Sequence, residues 1–338
     1  MYKNLIGAAG ALFLSVNSAF AADITLGFAP NLQTLPIVVA QSEGYFEEED
    51  ITLESVKFTS GRRALEALIG GQLDVAFMAE YPVSIASLRE QPFGTFTTLS
   101  RYTANRVISK ISAGFEDPSS LEGKTIGTTM GSNTQFFTEA LLDEYGVKAE
   151  VINVSPPDIV PALARGDIDA GIMFPDFYPA AEAALGDDYV EFRSSAYVAW
   201  FVLSATPEML NERADELAGF VRALVKAEAY IEANPEGAMA ALEVASEGLL
   251  TMDTIKTKFA EAEYEIGLAN GLLDILEIQA DRVVGKGLVE AEPSRDAVKA
   301  YLATGPLEAV DASRITFKEN SKGRAPTSDE RPSSSVHF

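Results

Sequence analysis

The sequence predicts an α/β chain of two lobes, each a mostly parallel sheet flanked by helices, with a cleft between them. Three observations predict this. ALIGGQLDVAFM (Ala67 to Met78) and ALARGDIDAGIM (Ala162 to Met173) repeat one pattern at an offset of 95 residues. Each copy reads as the end of an amphipathic helix, a glycine able to turn left-handed (Gly71, Gly166), an Asp and a short buried strand. Around each copy the order is strand, helix, strand, helix, strand, and right-handed crossovers turn that order into a parallel sheet. The period is too long for a solenoid and suits two similar lobes.

Taken in order, MYKNLIGAAGALFLSVNSAFA carries Lys3, an apolar stretch from Leu5 to Val16 and a small-x-small site at Ala19-Phe20-Ala21. This predicts a secretory signal peptide over 1–21, cleaved near Ala21. ITLGF from Ile24 is a strand, and Leu35 to Glu43 a helix stopped by Gly44. ITLESVKF from Ile51 is the second strand, Ala64 to Ile69 a helix, and VAFM from Val75 the third strand. The second copy runs through KTIGTTMG from Lys124, a helix from Asn133 to Tyr145 stopped by Gly146, strand EVINV, helix Ile159 to Arg165 and strand AGIM. From Thr206 the texture is almost continuously helical, with Thr206-Pro207-Glu208 as cap and first turn. This segment is expected to return to lobe 1 and complete it. The expected boundaries are 22–108 and 204–317 for lobe 1 and 109–203 for lobe 2, with crossings near Asn105 to Ser112 and Ala199 to Ala205. The Ser/Pro-rich tail, 318–338, is expected to be disordered.

Composition narrows the partners. The 338 residues contain no cysteine, which removes disulfides, thiolate chemistry and a lipid-anchoring Cys after the leader. The formal charge is −24, and removal of Lys3 with the leader makes it −25. Such a charge argues against nucleic acid and anionic membranes as partners. It does not exclude a local basic pocket.

GYFEEEDITLESV after the first helix, the repeated AL-x-x-G-x-[LI]-D element and LEGKTIGTTMGSNTQ carry a resemblance. From Asp23 to Leu302 the chain resembles the periplasmic solute-binding proteins of nitrate/sulfonate/taurine-type ABC importers, a group similar to sulfonate-, taurine- and thiamine-pyrimidine-binding proteins. The resemblance implies a type II, Venus-flytrap fold, a periplasmic location, a small-molecule ligand held in the cleft and ABC permease subunits at the inner membrane as partner. A monomer is the expected state. The family binds inorganic anions, sulfonates and pyrimidines, so the resemblance leaves the ligand open.

In open α/β sheets ligands sit beyond the carboxyl ends of the strands. The loops there are Asn31 to Thr34 with Gln33 between, Thr59 to Arg62, Glu80 to Pro82, Gly131 to Thr134, Ser155 to Asp158 and Pro175 to Tyr178. The 95-residue offset pairs Tyr81 with Asp176 and Pro82 with Phe177, which predicts that they face one another. Gly131-Ser132-Asn133-Thr134 is the first anion-binding candidate, because a Gly-led helix start presents free N–H groups and a positive dipole end. Ser132 with Gln135 is also a capping box. Thr34 and Arg62 stand at similar helix starts. Glu80 and Asp176 bring carboxylates to rims rich in aromatics (Tyr81, Phe177, Tyr178 and, in the second crossing, Trp200), a setting that suits an ammonium. Asp176 also suits a helix cap, and Tyr81 and Trp200 suit simple packing.

An anion site at one end and a cation site at the other favour a short zwitterion such as taurine. The aromatic surplus favours a planar aminopyrimidine instead. Pyrimidine synthases that resemble this family need His and a Cys-rich motif, whereas this chain has no Cys and only His337, in the tail. Asp74 and Asp169 match as a pair, but their place in a helix-to-strand turn predicts a structural role. GTTMGSNT lacks the lysine of a phosphate-binding loop. The reading is therefore a binder rather than an enzyme, with no cofactor and no metal. A ligand-dependent partner of a membrane sensor is the third class.

Overall fold

A computed structural model describes residues 24–194 and 197–317, and the backbone alone of 335–337. The expected signal peptide lies outside the described residues, as does the expected disordered tail apart from 335–337. The first βα units run β1 (Ile24–Gly27), α1 (Leu35–Ser42), β2 (Leu53–Val56), α2 (Gly61–Ile69), β3 (Val75–Ala79), α3 (Glu80–Leu88) and β4 (Gly94–Tyr102). The second set runs β5 (Asn105–Lys110), β6 (Thr125–Thr128), α4 (Asn133–Tyr145), β7 (Glu150–Asn153), α5 (Pro156–Arg165), β8 (Ala170–Ile172), α6 (Tyr178–Leu185) and β9 (Tyr189–Ser194). The chain then returns through β10 (Ala199–Ala205), α7 (Pro207–Asn211), α8 (Ala214–Ala233), α9 (Pro235–Ala245), α10 (Met252–Lys258), β11 (Ala262–Ala269), α11 (Asn270–Gly285), α12 (Arg295–Lys299), α13 (Gly305–Asp311) and β12 (Ile315–Thr316).

These strands make two sheets, ordered β12-β11-β4-β10-β3-β1-β2 and β13-β9-β5-β8-β6-β7, where β13 is Ser335–His337. Within each, the three repeated strands are parallel, as their crossover helices require. The other members make both sheets mixed. β10 pairs antiparallel with β3 and β4, and β5 pairs antiparallel with β8 and β9. The edge pairing of 335–337 with β9 departs from the expectation of disorder there.

The repeat has a physical reason at the base of each sheet. Asp74 accepts from the Thr25 N–H at 2.8 Å, and Asp169 accepts from the Thr125 N–H at 2.9 Å. Each Asp also donates its own N–H to the same Thr carbonyl, at 3.0 and 2.8 Å. The preceding helix of the second copy ends on Gly166 with φ +82°, a conformation that favours glycine.

The crossings differ from expectation. Residues 105–110 are already paired in the second sheet and Ala199 is already paired in the first, so the lobes are joined at Thr103-Ala104 and between Ser194 and Ala199. Lobe 2 therefore begins and ends a few residues earlier than 109–203. The helical reading beyond Thr206 also misses β11, whose AEYEIGLA has helix-forming composition. Pairing with β4 overrides that propensity. Among the described residues no helix is long and apolar enough to cross a membrane.

Candidate functional site

A cavity of about 80 Å³ lies between the lobes at the carboxyl ends of β1, β2 and β3 and of β6 and β8. Lobe 1 supplies Asn31 and Gln33 after β1, Thr59 to Arg62 at the start of α2, and Pro82 in α3. Lobe 2 supplies Ser132 and Asn133 at the start of α4 and Phe174 to Asp176 after β8. Both helix starts aim at the same space. Gly61 lets α2 come close: a Cβ there would lie 2.6 Å from the Met78 Cα. Gly131, at φ +75°, lets the Arg62 stem cross from the other lobe, since a Cβ there would lie 2.6 Å from Arg62 Cδ.

Two of the cavity-lining residues carry a buried polar atom without a partner. Gln33 is 2% exposed and its Nε2 is buried without a hydrogen bond. The neighbouring backbone is fixed, because the Ser100 hydroxyl donates to the Gln33 carbonyl at 2.8 Å. Arg62 bonds Glu66 at 2.8 Å through Nη1, while its Nε is buried and unbonded. A buried N–H without an acceptor costs free energy until something supplies one.

Asp176 lines the same cavity. The Asn31 amide donates to its Oδ2 at 3.1 Å, a bond from lobe 1 to lobe 2. Asp176 is exposed, yet protein from both lobes crowds its carboxyl, and this desolvation pushes it up to about 6 against the opposing effects of Asn31 and Lys258.

Six of the residues expected here from sequence therefore line the cavity: Asn31, Gln33, Arg62, Ser132, Asn133 and Asp176. Thr34, Glu80, Tyr81, Thr134, Phe177 and Trp200 do not. Thr34 spends its hydroxyl on the Ala29 carbonyl at 3.0 Å and on capping with Asn31. Thr134 Oγ1 is bonded inward to Thr128 at 2.9 Å and to Ser132 at 2.8 Å. β3 passes into α3 without a loop, which turns Glu80 and Tyr81 away from the cavity; Tyr81 packs on Phe136 at 5.6 Å between ring centroids. Phe177 lies in a 3-10 turn, half-buried against the core. Trp200 is in β10 rather than a crossing, with its ring beside Gly271 and under Arg101 at 5.1 Å.

Sequence reasoning missed the apolar wall. Phe28, Phe58, Phe77, Phe174 and Phe201 line the cavity, and the Phe77 and Phe201 rings stack with centroids 5.5 Å apart. Phe28, Phe58 and Phe77 were legible as strand residues, and their position at strand ends beside ligand loops was the signal available. A second missed feature is the ion cluster joining the lobes. Arg106 of β5, 4% exposed, bonds Glu191 at 3.0 Å and also bonds Glu261, which precedes β11; Arg193 bonds Glu261 at 3.1 Å. Among the described residues no group of three acids or histidines is arranged to hold a metal.

Comparison with known proteins adds the following. The family profile described as NMT1/THI5 like matches residues 31–238. The chain is 26% identical over 227 residues to the taurine-binding periplasmic protein of Escherichia coli, covering 64% of this chain and 69% of that one. It is 24% identical over 227 residues to the Saccharomyces cerevisiae 4-amino-5-hydroxymethyl-2-methylpyrimidine phosphate synthase THI12, covering 62% of this chain and 66% of that one. Among solved structures, the alkanesulfonate-binding protein SsuA from Xanthomonas axonopodis pv. citri, bound to MOPS, superposes with a TM-score of 0.68 at 17% identity, over 82% of this chain and 97% of that one. That likeness establishes the two-lobed periplasmic-binding-protein fold.

Proposed function

The chain belongs to the NMT1/THI5-like family, and from that premise and the cavity between its lobes we propose that it is the periplasmic solute-binding component of an ABC importer, capturing a short sulfonate-bearing solute of the taurine type. The observation that supports this reading is that Gln33 and Arg62, each with a buried N–H that lacks an acceptor, line the same small cavity as Asp176. Such donors call for an oxyanion, and two helix N-termini reinforce them. The carboxylate calls for a cation. Size supports the same class: a water needs roughly 10–15 Å³ of such space, so the cavity has room for roughly five to eight heavy atoms. That is the size of taurine and smaller than a substituted aminopyrimidine.

Binding and closure are one process in this reading. Contacts from Gln33 and Arg62 on lobe 1 and from Ser132, Asn133 and Asp176 on lobe 2 form together only when the lobes meet. A ligand that makes both sets stabilises the closed form over the open one. Exclusion of water strengthens each charged contact. The closed protein is then what the permease subunits recognise.

The phenylalanine walls and the similarity to pyrimidine synthases support a second reading, a binder of thiamine-type pyrimidines. A thermal-shift screen of the chain from Ala22 with taurine, ethanesulfonate, nitrate and an aminopyrimidine separates the two. A ligand at 100 times its dissociation constant adds about 2.7 kcal/mol, a shift of several degrees. A response to taurine or ethanesulfonate supports the first reading. A response to the pyrimidine alone replaces it.

A further inference from the structure

Glu80 opens α3 directly after the cavity-lining end of β3, and it is fully buried. No cation pairs with it among the described residues. Three donors from three elements converge on its carboxylate instead. The Tyr197 hydroxyl and Gln279 Nε2, the latter at 2.6 Å, donate to Oε1, and the Trp200 N–H donates to Oε2 at 3.0 Å. Gln279 stands on α11, where the Ser84 hydroxyl, donating to its Oε1 at 2.9 Å, orients the amide. Tyr197 stands in the crossing between β9 and β10. Its ring packs against lobe 2, with centroids 5.1 Å from Phe136 and 6.3 Å from Phe137 of α4. The start of that same helix lines the cavity. Tyr197 is thus bonded to lobe 1 by its hydroxyl and packed into lobe 2 by its ring.

We propose that Glu80 is a positioning residue of the hinge: closure caps its carboxylate with Tyr197 and opening hydrates it, so that the proton on Glu80 and the angle between the lobes are coupled. The sign follows from linkage. Desolvation pushes Glu80 up to about 7 in the closed form, against the hydrogen bonds from Tyr197, Gln279, its own backbone and the Trp200 backbone that favour its charge. Water admitted by opening returns it toward the ordinary carboxylate range. The closed form therefore holds the proton more tightly and is favoured as pH falls through about 7, while ionisation favours opening. The titratable neighbours are Tyr197 itself and Tyr81, both raised chiefly by burial and so protonated at neutral pH. Arg282 of α11 and Glu139 of α4 act on Tyr81, and Arg101 of β4 lies over the Trp200 ring.

Trp200 is the only tryptophan; its backbone N–H is bonded to Glu80 and its ring lies beside Gly271 and under Arg101, so its emission is a probe placed next to this site. The test is a ligand-free titration of the chain from about pH 5 to 9, following Trp200 emission and the radius of gyration by small-angle X-ray scattering. Wild type, Glu80→Gln and Tyr197→Phe are compared, each also in an Asp176→Asn background to remove the cleft carboxylate. The expected result is a wild-type transition between the ordinary carboxylate range and about 7, with the radius rising toward alkaline pH. Glu80→Gln loses that transition. Tyr197→Phe moves it, because the donor that distinguishes the closed form is gone. A transition that survives Glu80→Gln, or a wild-type radius constant across the range, overturns the proposal. If circular dichroism shows Glu80→Gln unfolded, Tyr197→Phe decides, and an unmoved midpoint overturns it. No ligand enters the experiment, so its outcome stands apart from the solute assignment.

Discussion

The two copies of the 95-residue repeat agree at one end of their strands and part at the other. At the base, Asp74 and Asp169 make the same pair of bonds to Thr25 and Thr125, within 0.2 Å of each other in every distance. At the cleft end, β3 enters α3 at once and sends Glu80 into the hinge, whereas β8 ends in Met173-Phe174-Pro175 and leaves Asp176 on the cavity. Two acids one residue out of step in the repeat thus serve different structures. The shared half builds the scaffold, and the divergent half makes one lobe unlike the other where a ligand must tell its two ends apart.

Five substitutions test this contrast. The largest effect belongs to Gly61→Ala, which forces a methyl against the β3 backbone; overpacking of that kind costs about 3 kcal/mol and should appear as a lower urea midpoint together with lost ligand binding. Next come Asp74→Ala and Asp169→Ala. Each should cost about 2 kcal/mol of stability, since each removes an acceptor from a strand N–H, and chemical denaturation should find the two costs alike. Unequal costs, beyond the Arg213 contact that Asp74 has at 3.4 Å, would break the equivalence of the two bases.

Asp176→Asn should leave folding nearly intact and weaken a taurine-type ligand by about 1.5 kcal/mol, roughly tenfold, by calorimetry. Its pH dependence has a definite sign. The folded carboxyl sits at about 6, above its unfolded value, so its contribution to stability is present at acid pH and lost as pH rises through about 6. Affinity for an ammonium runs the other way and rises over the same interval as the carboxylate ionises. Both dependences should vanish in Asp176→Asn. The smallest effect is that of Phe177→Ala, which should leave affinity within about twofold because Phe177 does not line the cavity.

Much of the scaffold was legible because its signals are local. Gly146 and Gly166 mark helix ends through a backbone conformation, and the strands of the βαβ units show as short apolar runs. β4, β5, β9 and β11 were not legible as sheet members. Their pairing is antiparallel and long-range, and neither composition nor alternation in GTFTTLSRY or AEYEIGLA reports the partner. The same limit applies to the site. Loop position brought Asn31, Gln33, Arg62, Ser132, Asn133 and Asp176 to notice, because loops after parallel strands gather at one edge. Which way a side chain turns there depends on how strand passes into helix, with no residue between β3 and α3 but Met173 to Phe177 between β8 and α6, and this separates Glu80 from Asp176. The five phenylalanines look like core in any sequence, since a wall facing a cavity and a wall facing a helix use the same residues.

The place of β10 in the first sheet also bears on the order in which the molecule is made. β10 lies between β3 and β4, so the halves β2-β1-β3 and β4-β11-β12 have no common edge until residues 199–205 exist. By then residues 105–194, which hold β5 to β9, have already been synthesised. The inserted lobe can fold while its host waits. A chain whose amino-terminal sheet closes last spends its synthesis with that sheet unfinished and its strand edges open until the later strands arrive.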